Sequence, residues 1–346
     1  MFATPHNGVG VAMLGSTQAL GAVRDEFRAL RSTCGLYELR SRAHIRLTGN
    51  DRVRWLNGML TNNVRDLAVG HGIYAFLLNP QGHILSDLCA YKRADHLVVI
   101  SDEGQREKIL STFDHYIIMD DVQVEDASAN LATVGVAGPR SQATLRSAGV
   151  DIAELQPLEI AELGWRGNTL TIVRGESDHY PSYEVWVALE QTAALRQTLE
   201  AAGAIAVSNH ALELYRIALG RPRYGQDIRE RDLPQETEQP RALNFNKGCY
   251  VGQEIVERIR SRGNVHRKFT GFEITGPPPA PGTKIQAQAK DVGEVTSSAL
   301  IPAEAGDRTV ALGYIRREAG VAGQAVEIAH SDALVTELPF RDLLIP

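Results

Sequence analysis

The most informative stretch of the sequence is an uninterrupted octet in its C-terminal third, Lys247-Gly248-Cys249-Tyr250-Val251-Gly252-Gln253-Glu254. Its two glycines predict a tight backbone path at the start of a strand or at a bend. Lys247 stands shortly before Cys249, where a positive charge would favour the thiolate. Gln253 and Glu254 end the octet with an amide and a carboxylate. A lone cysteine is more often a small buried hydrophobe, but this setting predicts that Cys249 is a functional, catalytic thiol.

Composition is typical of a folded domain protein. The chain has 346 residues, which suggests about two or three domains. Hydrophobic residues make up 43% and charged residues 23%. The net charge is −6, with 36 Lys and Arg against 42 Asp and Glu. This balance gives the molecule no overall attraction to nucleic acid or to a membrane surface.

The cysteines and histidines argue against disulfides and metal sites. Cys34, Cys89 and Cys249 are odd in number, widely spaced and free of any C-x-x-C pair. Such usage fits a reducing, cytoplasmic setting. The histidines show no metal-ligand spacing, so we predict no metal site. Residues 1–15 lack the pattern of a signal peptide, and no apolar run reaches the ~18 residues of a membrane span.

Apolar periodicity predicts a mixed α+β fold. Helical spacing covers residues 20–30, 53–60, 105–116, 141–147, 192–202 and 211–219. Strands are predicted at 44–47, 74–78, 84–91, 97–100, 131–137, 170–173 and 183–189. Asn79-Pro80-Gln81-Gly82 predicts a hairpin between the second and third of these strands.

The composition of the chain changes from residue 221 onward. Residues 221–241 are polar and irregular, and a loop of that length is usually functional or mobile. Residues 276–282 (GPPPAPG) form a stiff connector that cannot be helical. Short β-like runs with glycines follow it, which predicts a small separate β-barrel. We therefore expect a core over 1–275, of two discontinuous subdomains, and a barrel over 276–346.

The octet resembles the signature K-G-C-[FY]-x-G-Q-E of the YgfZ family, folate-binding proteins linked to iron–sulfur cluster assembly and tRNA modification. The chain as a whole resembles the wider superfamily of the glycine-cleavage T-protein, an aminomethyltransferase. The fragments that carry this likeness are WLNGMLTNNVRDL from Trp55, NPQGHILSD from Asn79, Ala137-Gly138-Pro139, GEVTS from Gly293 and ALGY from Ala311. The resemblance implies a folate-binding α/β core of two intertwined subdomains and a C-terminal barrel.

Asp87 is a candidate for both chemistry and folate contact. Strand alternation places it on one face with Leu85, Cys89 and Tyr91. A carboxylate on a largely apolar face is costly without a partner, although an acid here could also cap a turn or face solvent. The resemblance implies that this acid lies beside the pteridine ring and assists amine chemistry.

The resemblance also implies three further contacts to tetrahydrofolate or a one-carbon derivative of it. Glu184 matches a pterin-binding glutamate, although Ser182 replaces the family's glycine before it. Arg216 matches a folate-contacting arginine, although Ala218 replaces a glutamate that follows it in the family. Tyr224 lies in a segment that resembles the glycine-rich approach to the site. An Arg donor fork and a Glu acceptor suit the edge of a pterin.

Residues 256–267 (VERIRSRGNVHR) form the one locally basic stretch. On a strand, Arg258, Arg260 and Arg262 would share a face. The stretch is either a solvated charged surface or an anion site for a folate polyglutamate tail, an acidic partner or tRNA phosphates. Without interleaved aromatics for base stacking, direct nucleic-acid binding is the least favoured reading.

These features favour a tetrahydrofolate-binding protein that supports iron–sulfur cluster assembly or repair, and thereby tRNA modification. Its expected partners are reduced folate and iron–sulfur assembly proteins or their client enzymes. The alternative is a folate-dependent aminomethyltransferase of the glycine-cleavage type. A scaffold without catalysis is a third possibility, and the sequence does not say which reaction, if any, takes place.

Overall fold

The computed structural model describes residues 17–39, 42–177, 179–263 and 265–345. Residues 1–15, for which the sequence predicts no signal peptide, lie outside this part. Eight α-helices occur in the described ranges: α1 Thr17–Ser32, α2 Arg52–Met59, α3 Arg106–Tyr116, α4 Ser141–Ser147, α5 Thr192–Ala201, α6 Asn209–Ala218, α7 Gln253–Arg262 and α8 Arg341–Leu344.

The strands form three sheets. In chain order they are β1 Gly35–Glu38, β2 Arg42–Thr48, β3 Gly72–Leu78, β4 Ile84–Lys92, β5 Leu97–Asp102, β6 Gln123–Asp126, β7 Leu131–Ala137, β8 Ile160–Trp165, β9 Asn168–Arg174, β10 Ser182–Ala188, β11 Ile205–Ala206, β12 Arg267–Ile274, β13 Lys284–Ala287, β14 Lys290–Ile301, β15 Arg308–Arg316, β16 Ala325–Ile328 and β17 Ser331–Thr336.

Two of the sheets interlock through the order of their strands. One sheet runs β11-β1-β7-β10-β9-β8 and the other runs β3-β4-β5-β2-β6. The chain therefore enters the six-stranded sheet with β1, builds the whole five-stranded sheet, and then returns to the first sheet with β7. This confirms the expected core of two intertwined subdomains. The predicted hairpin is also confirmed, since β3 and β4 pair antiparallel around residues 79–82.

The third sheet is a closed barrel in the order β12-β15-β14-β13-β16-β17. A C-terminal barrel was expected, but its first strand, β12, precedes the proline-rich segment. Residues 276–282 therefore join two barrel strands and do not separate the barrel from the core. The boundary predicted at 275/276 falls one strand too late, because β12 already pairs with β15 and β17 as part of the barrel.

The basic stretch after the octet is helical, so the strand assumed for it is wrong. Helix α7 begins after Gly252 and ends before Gly263, both of which have left-handed φ angles of 81°. Its apolar residues Ile255, Val256 and Ile259 follow a helical period, which outweighs the alternation of arginines. Arg258 and Arg262 consequently share a face one turn apart, and Arg260 lies elsewhere, over the ring of Phe245.

The irregular segment 221–241 is tied down by buried charges. Asp227 and Asp232 are both fully buried. Asp227 accepts hydrogen bonds from Arg216 and from Ser297 of the barrel, and Asp232 accepts one from Arg267 of the barrel. The segment therefore acts as a polar strap that holds the barrel against the core.

A shared hydrophobic core joins the barrel to the rest of the molecule. Helices α1 and α6 contribute Phe27, Leu214 and Ile217, and the barrel contributes Leu312 and Tyr314 to the same buried cluster. The barrel also has its own interior, centred on residues such as Phe272 and Val335. The barrel is therefore packed against the core and is not a loosely tethered unit.

Candidate functional site

Asp87 lies at a half-buried position in β4 with both of its oxygens engaged. Tyr74 donates its hydroxyl proton to Oδ2 at 2.8 Å, and the Gln105 amide donates to Oδ1 at 2.9 Å. Burial raises the pKa of Asp87, against the lowering effect of these two hydrogen bonds. The strand therefore presents a carboxyl group with fixed orientation and increased proton affinity.

Glu184 lies in β10 and faces Arg42 across the junction of the two core sheets. The Arg42 guanidinium donates to Glu184 at 2.5 Å and to Asp102 at 3.0 Å. The Trp186 indole donates to the second Glu184 oxygen at 3.4 Å. Glu184 and Arg42 are partly exposed, at 20% and 28% of their side chains. A ligand can therefore reach the carboxylate and its partner.

Asp87 and Glu184 belong to one electrostatic neighbourhood. The positive charge of Arg42 acts on Glu184. It also acts on Asp87 and Cys89, where it opposes the rise in pKa that burial causes. Burial outweighs this effect at Cys89 and raises its pKa to about 11. We call Arg42, Asp87, Cys89 and Glu184 the carboxylate cluster.

A large cleft of the described structure lies close to the carboxylate cluster. It has a volume of about 1050 Å³ and lies between the core, the barrel and the C-terminal segment. Its charged lining includes Arg31, Glu176, Arg221, Glu238, Arg241, Lys268, Glu337 and Arg341. None of the four residues predicted to bind folate lines this cleft.

Arg241 connects the cleft to the carboxylate cluster. It lines the cleft, where it forms an ion pair with Glu176. Its guanidinium also lies 4.7 Å from the centre of the Tyr74 ring, and the Tyr74 hydroxyl donates to Asp87. Arg241 therefore lies between the cleft and the carboxylate cluster.

Arg216 donates all of its guanidinium protons to protein groups, and its predicted contact with folate stays a prediction. Its guanidinium donates to both oxygens of Glu213, to Asp227, to the Arg221 carbonyl and to Ser297. A guanidinium has five N–H donors, and these partners occupy all of them. Arg216 therefore joins α6 to the strap and the barrel.

Tyr224 lies near the carboxylate cluster without lining the cleft. It packs in one hydrophobic cluster with Tyr74 and Cys89, and its hydroxyl donates to the Ile84 carbonyl at 3.5 Å. Burial, followed by the nearby negative charge of Asp87, raises its pKa to about 12. Its predicted role in binding folate stays a prediction.

The octet wraps around the end of α2 and leaves Cys249 exposed. The Lys247 amino group is buried and donates to the carbonyls of Asn57, Leu60 and Asn62. An ammonium has three protons to donate, so none remains for the Cys249 thiol. Lys247 therefore makes no hydrogen bond to the thiol whose thiolate form its charge was expected to favour.

Sequence reasoning missed three residues that shape the carboxylate cluster. No local motif marks these residues. Arg42 lies in β2, Gln105 directly precedes α3, and Arg241 ends the strap. The alternation of polar residues in β2 was the one available signal for Arg42. Tyr74 was predicted only as the first residue of the strand 74–78.

The interlocked core, the barrel and the carboxylate cluster together define a two-part protein of the T-protein class. The description "GCVT N-terminal domain" matches residues 5–247, and "Glycine cleavage T-protein C-terminal barrel domain" matches residues 267–342. The chain belongs to this glycine cleavage T-protein family. Membership of the YgfZ family stays a prediction, because it depends on the octet.

The sequence is also similar to several named proteins. The chain is 27% identical over 300 residues to an aminomethyltransferase of Rubrobacter xylanophilus, covering 86% of this chain and 80% of the relative. It is 26% identical over 337 residues to an aminomethyltransferase of Symbiobacterium thermophilum, covering 92% and 89%. A putative chloroplastic transferase of Arabidopsis thaliana is 24% identical over 86% of this chain and 68% of its own length.

A solved structure supports the fold. The glycine cleavage system aminomethyltransferase T from Bartonella henselae superposes with a TM-score of 0.83 at 22% identity, over 92% of this chain and 89% of that protein. Within the described ranges, no helix is long and apolar enough to cross a membrane. The same ranges contain no group of three or more His, Cys, Asp and Glu that could hold a metal ion.

Proposed function

We propose that this protein binds a reduced folate, tetrahydrofolate or a one-carbon derivative, with the pterin at the carboxylate cluster. The observation that carries the proposal is the meeting of Glu184, Arg42 and Asp87 beside a cleft of about 1050 Å³. Carboxylates accept from the N–H groups of a pterin edge, and a guanidinium donates to its carbonyl. The Arg42 Nε is buried and has no hydrogen-bond partner among the described residues. In this proposal the ligand supplies the acceptor for it.

Each side chain of the carboxylate cluster has a distinct task in this proposal. Glu184, held in place by Arg42, accepts hydrogen bonds from the ligand. Asp87, oriented by Tyr74 and Gln105, exchanges a proton with an amine nitrogen at the adjacent position, for which a raised pKa is favourable. Bound tetrahydrofolate would supply the carrier of the one-carbon unit.

The first candidate activity is folate-dependent one-carbon transfer of the aminomethyltransferase type. Two of the relatives carry the name aminomethyltransferase, and Asp87 and Glu184 provide the acid and the acceptor that such chemistry needs. This candidate requires only the carboxylate cluster and gives Cys249 no part in the reaction.

The second candidate is support of iron–sulfur cluster assembly or repair by a folate-binding protein of the YgfZ type. The observation that favours it is the exposed thiol of Cys249 within an octet that resembles the YgfZ signature. T-proteins carry a different segment at this place. Under this candidate the partners are iron–sulfur assembly proteins or client enzymes, and the setting is cytoplasmic.

Titration with tetrahydrofolate tests the shared part of both candidates. Glu184→Ala should weaken binding by roughly ten- to a hundred-fold, because a pterin donor left without its acceptor costs about 1–3 kcal/mol. The matched control is Glu190→Ala, which removes an exposed glutamate just after the same strand and should bind like the parent. Equal affinity of Glu184→Ala and the parent would remove Glu184 from the site.

Two assays separate the candidates. A glycine-cleavage assay with lipoylated carrier protein reports the first, and rescue of iron–sulfur enzyme activity in a deletion strain reports the second. Cys249→Ser should keep tetrahydrofolate binding and any glycine cleavage but abolish rescue. Cys34→Ala, at a buried position, is the control and should rescue. Full rescue by Cys249→Ser, together with glycine cleavage by the parent, would establish the first candidate; full rescue without cleavage would favour a scaffold.

A further inference from the structure

The octet closes the C-terminal end of α2. The last carbonyls of a helix have no partner within the helix itself. The Asn57 carbonyl would accept from the Thr61 amide if α2 continued, but that amide donates to Phe76 in β3. The Lys247 ammonium takes its place at 2.5 Å, and it also binds the Leu60 and Asn62 carbonyls at 2.5 and 3.0 Å.

Further backbone hydrogen bonds fix the chain on both sides of Cys249, one within the octet and one just before it. After Cys249, the Val251 amide donates to the Gly58 carbonyl at 3.1 Å. Before it, the Asn244 amide donates to the Thr61 carbonyl at 3.0 Å. Cys249 is therefore the exposed apex of a loop whose two arms are both bound to α2 and the residues just after it.

Gly252 fixes the far end of the same loop. Its φ angle of 81° is in the left-handed region, and a Cβ atom there would lie 2.6 Å from the Asn79 carbonyl oxygen and 3.2 Å from the Gly82 Cα. Only glycine fits such a position without displacing the hairpin of β3 and β4. The octet thus contacts both α2 and this hairpin.

We infer that Lys247 is a positioning residue for the exposed Cys249 thiol, which it holds at the end of α2 without acting on the sulfur. All three ammonium protons are donated to carbonyls, and the ammonium lies 4.9 Å from the centre of the buried Tyr250 ring. The inference rests on the role proposed for Cys249 in the second candidate function. It explains why the motif carries a lysine that is not in contact with the thiol.

Hydrogen exchange of the Val251 amide tests this positioning directly. Lys247→Met keeps the apolar stem and removes the donor, so Val251 should exchange at least tenfold faster, while Ile45 and Val99 in the central strands exchange as in the parent. Lys290→Met, at an exposed lysine, is the matched control and should leave Val251 unchanged. Unchanged exchange in Lys247→Met would overturn the inference.

Alkylation of Cys249 with iodoacetamide distinguishes positioning from activation. If Lys247 only positions the loop, the pH profile of the alkylation rate keeps its shape in Lys247→Met, and rescue of iron–sulfur enzyme activity falls. A profile displaced to higher pH would show that the ammonium acts on the sulfur and would overturn the inference.

A second variant covers the case in which Lys247→Met does not fold. Gly252→Ala retains the lysine but strains the loop, and it should likewise accelerate exchange at Val251; normal exchange would contradict a rigid loop. Cys249→Ser separates the two proposals, since it should keep Val251 protected while abolishing rescue. Protection with full rescue would refute the role of Cys249 and leave the positioning by Lys247 intact.

Discussion

At the scale of single residues, Arg216 and Arg42 differ in how many of their guanidinium donors have protein partners. Arg216 donates all of its N–H groups to Glu213, Asp227, Ser297 and a backbone carbonyl. Arg42 retains a buried Nε without a protein partner in the described part of the chain and shares a partly exposed pair with Glu184. The difference is which acceptors the fold brings within reach, so we place Arg42 in the proposed folate site and propose a structural role for Arg216.

The first prediction concerns Arg216. Arg216→Met should lower the free energy of unfolding by about 3–5 kcal/mol, because it leaves the fully buried Asp227 without its cationic partner. Urea unfolding measures this loss, and tetrahydrofolate titration under folding conditions should give the affinity of the parent. A stable variant with weakened folate binding would return Arg216 to the site.

The second prediction concerns pH. Burial lowers the pKa of His44 to about 4, whereas an unfolded chain has a histidine pKa of about 6.5. Between these values the unfolded state binds more protons, so the stability present above pH 6.5 is lost as the pH falls towards 4. The loss amounts to up to about 3 kcal/mol.

His44→Gln removes this titration while keeping a group that can hydrogen-bond to the Thr133 hydroxyl, the present partner of His44 Nε2 at 3.0 Å. Its stability should fall less steeply between pH 7 and pH 4.5 than that of the parent, as measured by urea unfolding at a series of pH values. Parallel curves for the two proteins would contradict the assignment, whatever their difference in absolute stability.

At the scale of elements, the strap 221–241 shows how an irregular segment becomes ordered. It has almost no regular secondary structure, yet Asp227, Asp232 and Thr237 are fully buried. Arg267 of β12 donates to both Asp232 and Glu236. Backbone groups of a buried loop need partners, and the carboxylates supply them, as when Asp232 accepts from the Arg229 amide at 2.7 Å. The segment was expected to be functional or mobile, and in the structure its polar residues form an internal network.

The third prediction uses trypsin on this strap, which offers cleavable arginines at positions 223, 229, 231 and 241, whereas Arg221 precedes Pro222 and is not a trypsin site. In the folded parent these sites should resist cleavage, because the buried aspartates hold the backbone in place. Asp232→Ala removes an acceptor from Arg267 and should make the strap cleavable at an early stage of digestion. Rapid cutting of the parent within the strap, identified by mass spectrometry, would show that the network does not hold it.

At the scale of the whole molecule, barrel and core share one hydrophobic cluster. Leu312 and Tyr314 of β15 are buried together with Leu214 and Ile217 of α6. The strap adds ion pairs across the same boundary, from Asp232 and Glu236 to Arg267 of the barrel. Because both kinds of contact cross between the two parts, we expect the chain to unfold as one cooperative unit.

The fourth prediction uses the tryptophans as reporters, since Trp55, Trp165 and Trp186 all lie in the core. Leu312→Ala in the barrel should lower the unfolding free energy seen by tryptophan fluorescence by about 2–5 kcal/mol, the usual effect of a large-to-small change in a core. Glu304→Ala, an exposed barrel position, is the control. An unchanged tryptophan transition in Leu312→Ala would mean that the barrel unfolds independently.

The sequence by itself determined the features that depend on neighbouring residues and on motif spacing. It predicted the β3–β4 hairpin, helices α1 to α6, the interlocked core with a C-terminal barrel, and the glycine-cleavage T-protein superfamily, because turn residues, apolar periods and the order of fragments are all local or sequential signals. The octet also drew attention to Cys249, which is exposed.

Only the tertiary structure decided which charged groups meet. Arg42 reaches Glu184 across 142 positions of sequence and Lys247 reaches Asn57 across 190, so no local pattern could pair them. The same holds for Arg216, whose barrel partner Ser297 is 81 positions away. Hydrogen bonds act over about 3 Å, and the fold alone brings such distant groups that close.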